Sequence, residues 1–254
     1  MKIDRYELVK NNIYNVYLSN GEVLTLDENV ITDNELLLKK EIDTTLYNKL
    51  KSDNDIISLC NMAIKYISIR LRSIKEVRDY LSKKCDNSYY IDMAIDKLIG
   101  YKYLDDDRFT KAFINDKINL SNDGPFKIKK LLLELDFNES DIDNYLNNFD
   151  NSLWEEKLIK IVNKKKNLMN NKSYYMFITK LKSYLFNLGY DKYMIDNILS
   201  NIKYESNALE KDFNSALKKY KDDKNKLINY LLRKGYSYDE INTKLKNLVW
   251  GFFN

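Results

Sequence analysis

The sequence contains no histidine, and this absence removes whole classes of chemistry. It excludes imidazole-based general-base and nucleophile systems and every metal site with a histidine ligand. The two cysteines, Cys60 and Cys85, lack the CxxC spacing of a structural zinc site. We expect both to be buried as small hydrophobic residues, and low cysteine usage is typical of a reducing cytosol. No phosphate-binding glycine pattern is present, which argues against nucleotide hydrolysis.

Proline and glycine are also scarce, with one and six residues among 254. So few turn residues argue against an all-β fold, and the composition predicts a mainly helical protein. With 44% hydrophobic residues the chain can bury a large core, as one domain or as several smaller units. No signal peptide or membrane-spanning apolar run is visible, so we expect a cytoplasmic protein that does not bind membranes.

Charge is distributed unevenly. Residues 1–60 carry a net charge of −4, whereas residues 61–135 and 136–254 each carry +4. The body of the chain is therefore mildly basic. This permits nucleic acid as a partner without requiring it.

One β signal stands near the N-terminus. Residues 13–18 and 23–26 alternate and are rich in β-branched and aromatic residues, and they flank Asn20-Gly21. This pattern predicts a hairpin with a type I′ turn. Thr32 to Glu35 has the spacing of a capping box that opens a short helix, and residues 44–50 are a candidate for another.

From about Asp55 the apolar period becomes helical and the chain repeats itself four times. Each copy has an aromatic-or-Leu/Leu pair followed, ten residues after its second member, by Ile-[Asp/Asn]-x-x-[Ile/Leu]-x-x-[Leu/Phe/Ile]. The copies begin at Tyr80-Leu81, Leu131-Leu132, Tyr184-Leu185 and Tyr230-Leu231, and the last ends at Leu248. Another apolar residue lies four before each second Leu, so we interpret the stripes as core.

A longer helix leads each copy, predicted at residues 55–71, 107–120, 153–168 and 205–220. The fold class expected is mainly α, a tandem array of about four three-helix repeats with a small N-terminal β-hairpin segment. The predicted segments are 1–54 for the β part and 55–102, 103–150, 151–203 and 204–254 for the repeats. Such an array offers a long surface, so its default function is binding.

The acidic run Asp105 to Asp107 has two interpretations. It can cap a helix that starts beside it, which we favour, or it can hold Mg²⁺ in a metal-dependent nuclease. Gly124-Pro125 predicts another helix start. Lys164 to Lys166 and Lys218-Lys219 are interpreted as solvated faces, with phosphate contact as the alternative.

Arginine is rare, with six residues against 36 lysines, and three of the six are Arg70, Arg72 and Arg78. A guanidinium presents a planar set of donors that lysine cannot imitate. Two interpretations stay open: pairing with a carboxylate between helices, and contact with a partner's acid or phosphate.

Together these residues resemble the RecX family of recombinase regulators. The resemblance covers about residues 60–150 and rests on three motifs in order: Ala63-x-x-Tyr66-Ile67-Ser68-x-Arg70-x-Arg72-Ser73-x-x-Glu76-Val77, Leu98-x-Gly100-Tyr101-x-x-Leu104-Asp105-Asp106-x-Arg108-Phe109, and Gly124-Pro125-x-x-Ile128-x-x-x-Leu132. The N-terminal β part and the last two repeats resemble longer members of the family, but there the resemblance rests on the periodicity of apolar residues more than on motifs. Departures are Asp136 in place of a glycine, Thr110 in place of a small residue, and Phe126-Lys127 in place of a basic pair.

The resemblance implies a non-enzymatic regulator, without cofactor or metal, that binds the RecA recombinase or its filament on DNA. It would lie along the filament groove and inhibit ATPase, strand-exchange and co-protease activities, and so act in DNA recombination, repair and the SOS response. We expect a monomer that also contacts single- or double-stranded DNA. The alternative is a general nucleic-acid-binding helical repeat protein that needs no recombinase. Candidate contact residues are Arg70, Arg72, Arg108, Lys127, Lys129 and Lys130.

Overall fold

The chain begins with a small antiparallel sheet in the computed structural model, which describes residues 1–220 and 223–251 but not the side chains of 248–251. Strands β1 (Ile3–Lys10), β2 (Ile13–Leu18) and β3 (Val23–Asp27) pair in that order. The predicted hairpin is confirmed as β2 and β3. Strand β1 has no counterpart in the sequence prediction, because most of its residues are exposed and leave no apolar alternation to detect.

The turn between β2 and β3 is not the predicted type I′ turn. The Gly21 N–H donates to the Leu18 carbonyl at 2.9 Å, and Gly21 alone among residues 19–22 has a positive φ, of 86°. A type I′ turn needs positive φ at two consecutive residues. The loop is one residue longer than that of a type I′ hairpin and ends in the left-handed Gly21, so only one residue needs a positive φ.

Of the two short helices predicted in the N-terminal segment, one is wrong and the other is confirmed as part of a longer helix. Helix α1 (Glu28–Asp33) is capped by Asp27, and it ends where the predicted Thr32 capping box would begin. Helix α2 (Thr44–Ile67) joins the predicted helices at 44–50 and 55–71 into one. The polar residues between them suggested a break, but the Asn54 side chain instead binds β3, accepting from the Asp27 N–H at 2.9 Å and donating to the Thr25 carbonyl at 3.2 Å.

The remaining helices follow the predicted repeat closely. They are α3 (Ile74–Ser82), α4 (Ser88–Gly100), α5 (Asp106–Leu120), α6 (Pro125–Leu133), α7 (Glu139–Leu146), α8 (Asn151–Leu168), α9 (Tyr174–Asn187), α10 (Lys192–Ser200), α11 (Ala208–Tyr220), α12 (Lys224–Arg233) and α13 (Tyr238–Gly251). The fold is therefore mainly helical with a small N-terminal sheet, as expected. None of the described helices has both the length and the apolar composition to cross a lipid bilayer.

The repeated apolar stripe forms the core. Its members in α3, α6, α9 and α12 are at most 2% exposed: Val77, Leu81, Ile128, Leu132, Leu181, Leu185, Leu227 and Leu231. Leu248, at the end of the fourth copy, lies outside the described side chains. Cys60 is buried, which raises the pKa of its thiol to about 11, whereas Cys85 is only half-buried and corrects the expectation for that residue.

The predicted links between the second and third helices of a repeat contain the expected caps. Gly189 and Gly235 have φ values of 84° and 82°, and Asp136 takes the same left-handed conformation at 64° where the family pattern has glycine. Ser237 and Glu240 exchange the two hydrogen bonds of a capping box. Asparagine and aspartate tolerate left-handed backbone better than most residues, which explains how Asp136 substitutes.

The chain forms two compact units, residues 1–112 and 113–254, and α5 runs from the first into the second. The predicted boundary at 54/55 falls inside α2, whereas those at 102/103, 150/151 and 203/204 fall between helices. The division into four repeats remains a prediction. Residues 252–254 of the last predicted repeat lie outside the described residues.

In the second unit, the start of one helix docks on the glycine link that follows a later helix. At the start of α6, the Gly124 N–H donates to the Leu188 carbonyl at 2.6 Å, and the Phe126 N–H donates to the Gly189 carbonyl at 3.1 Å. At the start of α9, the Ser173 hydroxyl donates to the Lys234 carbonyl at 2.6 Å, next to Gly235. Because helix N-termini carry unpaired N–H groups, these contacts satisfy donors and fix neighbouring helices together.

Candidate partner-binding surface

Arg70 and Arg72 lie in the link between α2 and α3, and both bind Glu76. This carboxylate belongs to a capping box: the Glu76 N–H donates to the Ser73 hydroxyl at 3.2 Å, and Glu76 accepts from the Ser73 N–H at 3.1 Å. Arg72 donates to the same carboxylate at 3.3 Å, and Arg70 binds it as well as the Leu71 carbonyl. Both arginines therefore have a carboxylate partner within the chain, and their contact with a binding partner stays a prediction.

The two arginines differ in exposure. The Arg72 guanidinium lies 3.9 Å from the centre of the Tyr66 ring, which stacks in turn on Tyr80 at 4.3 Å, and only 13% of the Arg72 side chain is exposed. Its Nε is buried without a hydrogen-bond partner among the described residues, so stacking holds the group in place. The Arg70 side chain is 53% exposed and still presents part of its donor set to solvent. Arg72 is thus a packing residue and Arg70 a surface residue.

The Glu76 carboxylate is held ionised by its neighbours. Partial burial alone would raise the pKa of Glu76, but the Arg70 hydrogen bond, the Ser73 N–H and the Arg70 charge outweigh it and lower the pKa below its usual value. Two arginines around one carboxylate leave a net positive charge at this link. An anionic partner group would meet that excess charge at Arg70.

Arg78, the third arginine of the cluster in sequence, pairs with Asp92 across α3 and α4. Both side chains are about half exposed, at 45% and 52%. A surface pair of this kind contributes little to stability. Arg78 therefore serves as a matched surface arginine for comparison with Arg70.

The acidic run caps α5. The Asp105 carboxylate accepts from the Arg108 N–H at 3.0 Å, and the Asp105 carbonyl accepts from the Phe109 N–H at 2.9 Å. Within the described part of the chain, no three acidic or cysteine side chains are placed to hold a metal ion. The Arg108 side chain is exposed and forms no ion pair with any described residue. It is the most available of the predicted cations in the first unit.

The three candidate lysines of α6 are engaged to different degrees. Lys127 binds Asp123 at 2.7 Å, and Lys129 binds both Glu139 and Asp143 at 2.7 Å. The hydrogen bonds that Lys129 donates to these two carboxylates, to Asp143 first, raise the pKa of Lys129. The Lys130 ammonium is 3.9 Å from Glu134, and 76% of its side chain is exposed. Of the three, Lys130 is the one presented to solvent.

The six candidates are divided between the two units. Arg70, Arg72 and Arg108 belong to the first unit, and the three lysines to the second. Three of the six face solvent with donors to spare: Arg70, Arg108 and Lys130. Sequence spacing could identify these cations but not their exposure, because the carboxylates that occupy the others lie up to 14 residues away.

Two features escaped the sequence prediction. The link between α4 and α5 exposes Tyr101 and Tyr103, at 62% and 47%, seven and five residues before Arg108 in the chain. Exposed tyrosines with a nearby arginine are typical of residues that contribute most to protein interfaces. The second feature is a lysine-lined groove along α8, whose members Lys157 and Lys160 precede the lysine run at 164–166. Its signal was the spacing of lysines at one helical face.

Comparison with known proteins gives one consistent group. The family model described as the RecX third three-helix domain matches residues 207–245, the unit predicted here as the fourth repeat. The chain is 27% identical to "Regulatory protein RecX" of Oceanobacillus iheyensis over 91% of both chains. It is 28% identical to that of Streptococcus agalactiae, covering 98% of this chain and 100% of the relative.

Solved structures agree with this group. A crystal structure of regulatory protein RecX matches 79% of this chain and 99% of its own, with a TM-score of 0.69 at 21% identity, and shows the same fold. The crystal structure of RecX from Lactobacillus salivarius matches 58% of this chain and 96% of its own, with a TM-score of 0.53 at 28% identity. The helical repeat is therefore shared with experimentally determined structures.

Proposed function

The chain belongs to the RecX family, and from that premise we propose that it binds the RecA recombinase, or its filament on DNA, and inhibits the filament's activities. The observation that carries this proposal is the match to proteins named as RecX regulators over more than nine-tenths of both chains. The inhibited activities are ATP hydrolysis, strand exchange and the co-protease function. The protein would then act as a cytoplasmic monomer in DNA recombination, repair and the SOS response.

The exposed cations of the first unit support a binding role. Arg70 and Arg108 present guanidinium donors to solvent, and the link that precedes α5 adds the exposed aromatic surface of Tyr101 and Tyr103. Guanidinium groups bind carboxylates and phosphates through two parallel hydrogen bonds, so both a protein acid and a DNA phosphate are suitable partners. Arg72 acts differently, by holding Tyr66 and Glu76 in the positions that orient Arg70.

The proposal is tested by the rate of ATP hydrolysis of RecA filaments on single-stranded DNA. Wild-type protein should inhibit it, and Arg70→Ala/Arg108→Ala should raise the half-inhibitory concentration by at least about tenfold, which corresponds to about 1.4 kcal/mol. The matched control is Arg5→Ala/Arg78→Ala, which removes two surface arginines from the same unit. Both variants should keep the wild-type circular dichroism spectrum.

Two results would contradict the proposal at different levels. If wild-type protein leaves ATP hydrolysis unchanged at saturating concentration, the regulatory function is wrong. If the double variant and its control inhibit equally well, the function stands but Arg70 and Arg108 are not its contact residues.

The alternative is a nucleic-acid-binding protein that needs no recombinase, and the net charge of +4 in each of the two segments of the body favours it. The two functions differ in where affinity is highest. A regulator of the filament should bind the filament more tightly than naked single-stranded DNA. Equal affinity for both, with a steep loss as salt rises, would instead identify the general nucleic-acid-binding protein.

A further inference from the structure

A groove of about 500 Å³ runs along α8 in the second unit, between that helix and the end of α5. Four lysines of α8 line it: Lys157, Lys160, Lys164 and Lys165. Their spacing places them on one face of the helix, because residues three, four, seven and eight apart share a face. We call this cleft the α8 groove.

The α8 groove is positive and contains no compensating acid. None of its lining residues is an aspartate or glutamate, so its formal charge of +4 equals the net charge of the whole chain. In α6, by contrast, Lys127 and Lys129 each form ion pairs with carboxylates. A concave surface lined by one sign of charge concentrates the electric field and attracts ions of the opposite sign.

The four lysines are not equivalent. The Lys157 ammonium donates to the Ile118 carbonyl at 2.5 Å and to the Lys117 carbonyl at 3.4 Å, and so caps the C-terminal end of α5. Its burial lowers its pKa. This contact offsets the negative end of the α5 dipole, which would otherwise repel an anion in the groove.

The other three lysines remain for a ligand. Lys160 and Lys164 are exposed, and the Glu156 carboxylate reaches only to 4.0 Å from Lys160. Lys164 forms no ion pair with a described residue. The Lys165 ammonium lies 4.1 Å from the centre of the Tyr184 ring, which positions it at the groove wall.

The lining of the α8 groove other than its lysines, which we call its floor, is mostly apolar and partly aromatic. Leu168, 67% exposed, and the half-buried Tyr184 line the groove together with the lysines, and Asn119 and Asn122 add polar side chains. Proteins that bind single strands combine a positive groove for the backbone with apolar and aromatic surface for the bases. A duplex keeps its bases stacked inside and would leave that floor without contacts.

We propose that the α8 groove binds single-stranded nucleic acid, with Lys160, Lys164 and Lys165 on the phosphates and the apolar floor against the bases. The site goes beyond the proposed regulation of a recombinase, because it requires no second protein. Lys157 is a positioning residue that closes the end of α5.

The test measures binding of a fluorescent thymidine oligomer of about 15 nucleotides by anisotropy at several salt concentrations, without recombinase. Wild-type protein should bind with a Kd on the order of 1–100 μM. The variant Lys160→Gln/Lys164→Gln should bind at least about tenfold more weakly. Its slope of log affinity against log salt should fall by about 1.4, which is about 0.7 for each of two phosphate contacts on a single strand.

The matched control is Lys180→Gln/Lys192→Gln, which removes two exposed lysines of α9 and α10 outside the groove. Its slope of log affinity against log salt should differ from that of the wild type by less than half of the change expected for Lys160→Gln/Lys164→Gln. Equal losses in both variants, or no loss in either, would overturn the site. So would absence of binding by the wild type, tighter binding of a duplex, or equal competition by polyglutamate of the same charge.

This test separates the site from the proposed regulation. A groove variant that loses the oligomer but still inhibits the filament supports the site and leaves the regulation intact. A wild-type protein that binds the oligomer but does not affect the filament keeps the site and removes the regulation.

Discussion

At the scale of single residues, two arginines separated by one position have different tasks. Arg70 and Arg72 share Glu76, but Arg72 is packed on Tyr66 and Arg70 is exposed. The scarcity of arginine in the sequence singled out both as candidates. It could not separate them, because exposure depends on the aromatic stack of Tyr66 and Tyr80, which comes from two different helices.

Replacing each arginine by alanine should therefore affect stability unequally. We expect Arg72→Ala to lower the free energy of unfolding by about 1–3 kcal/mol, since it removes a desolvated cation–π contact and its packing. Arg70→Ala should change it by less than about 1 kcal/mol, the usual contribution of an exposed pair. Urea unfolding followed by circular dichroism measures both, and equal losses would show that Arg72 is not a packing residue.

At the scale of secondary-structure elements, the close approach of α6 to the link after α9 is the feature that the sequence did not reveal. A Cβ added at Gly189 would lie 2.3 Å from the Lys127 nitrogen, and one added at Gly124 would lie 2.5 Å from the Gly189 oxygen. Both obstacles are backbone atoms, which cannot rotate away. The cap motif predicted the left-handed glycine, but only the fold shows a second reason for it.

Gly189→Ala and Gly21→Ala separate these two reasons. Both glycines have a positive φ near 85°, but a Cβ at Gly21 meets nothing within 4 Å. Gly21→Ala should therefore lower stability only by the conformational term, about 1–2 kcal/mol. Gly189→Ala adds a backbone clash, so we expect a loss of more than about 3 kcal/mol or failure to fold.

Thermal unfolding of the two glycine variants decides the point. A similar reduction of the melting temperature in both would mean that the α6 contact with Gly189 adjusts without cost. A much larger reduction in Gly189→Ala would confirm that the contact fixes α6 in place.

The helical part of the fold could be predicted because its information is local. Caps such as Ser237 with Glu240 and stripes such as Val77 with Leu81 lie within one turn or two of helix, where side-chain spacing determines the contacts. The failures involve distant partners. Asn54 belongs to a continuous α2 because its side chain binds β3. The exposed strand β1 forms because it pairs with β2, a partner that its own sequence does not reveal.

At the scale of the whole molecule, charge is organised by local pairing more than by net value. The chain has a net charge of only +4, but carboxylates such as Glu76 and Asp123 each bind two cations, and the lining of the α8 groove includes lysines but no acid. A modest total charge therefore conceals strongly positive local surfaces. The candidate site could be predicted from the sequence as a set of cations. The groove could not be predicted, because only the structure shows that no carboxylate side chain lines it.

The pH dependence of stability follows from this pairing. Asp123, with 10% of its side chain exposed, binds Lys127 at 2.7 Å and Lys117 at 3.3 Å. Burial alone would raise the pKa of Asp123, but the hydrogen bonds and charges of Lys127 and Lys117 outweigh it and lower the pKa below 3.8. A lowered pKa in the folded state means that the ionised carboxylate stabilises the fold above the ordinary pKa, and that this stabilisation disappears as the pH falls through the folded value.

Asp123→Asn should therefore lower the free energy of unfolding by about 1–3 kcal/mol at pH 7, where it removes a buried charge partner of two lysines. The difference from wild type should shrink as the pH falls below 3.8, because the wild-type carboxyl then takes up a proton in the unfolded state and, at its lower folded pKa, also in the folded state. Titration of the other acids affects both proteins equally and cancels in the comparison. The control Asp116→Asn, at an exposed position of α5, should change stability by less than about 0.5 kcal/mol at either pH. Urea midpoints at pH 7 and pH 3 measure all three proteins, and a difference between Asp123→Asn and wild type that persists undiminished at pH 3 would show that the ion pairs with Lys117 and Lys127 do not stabilise this unit.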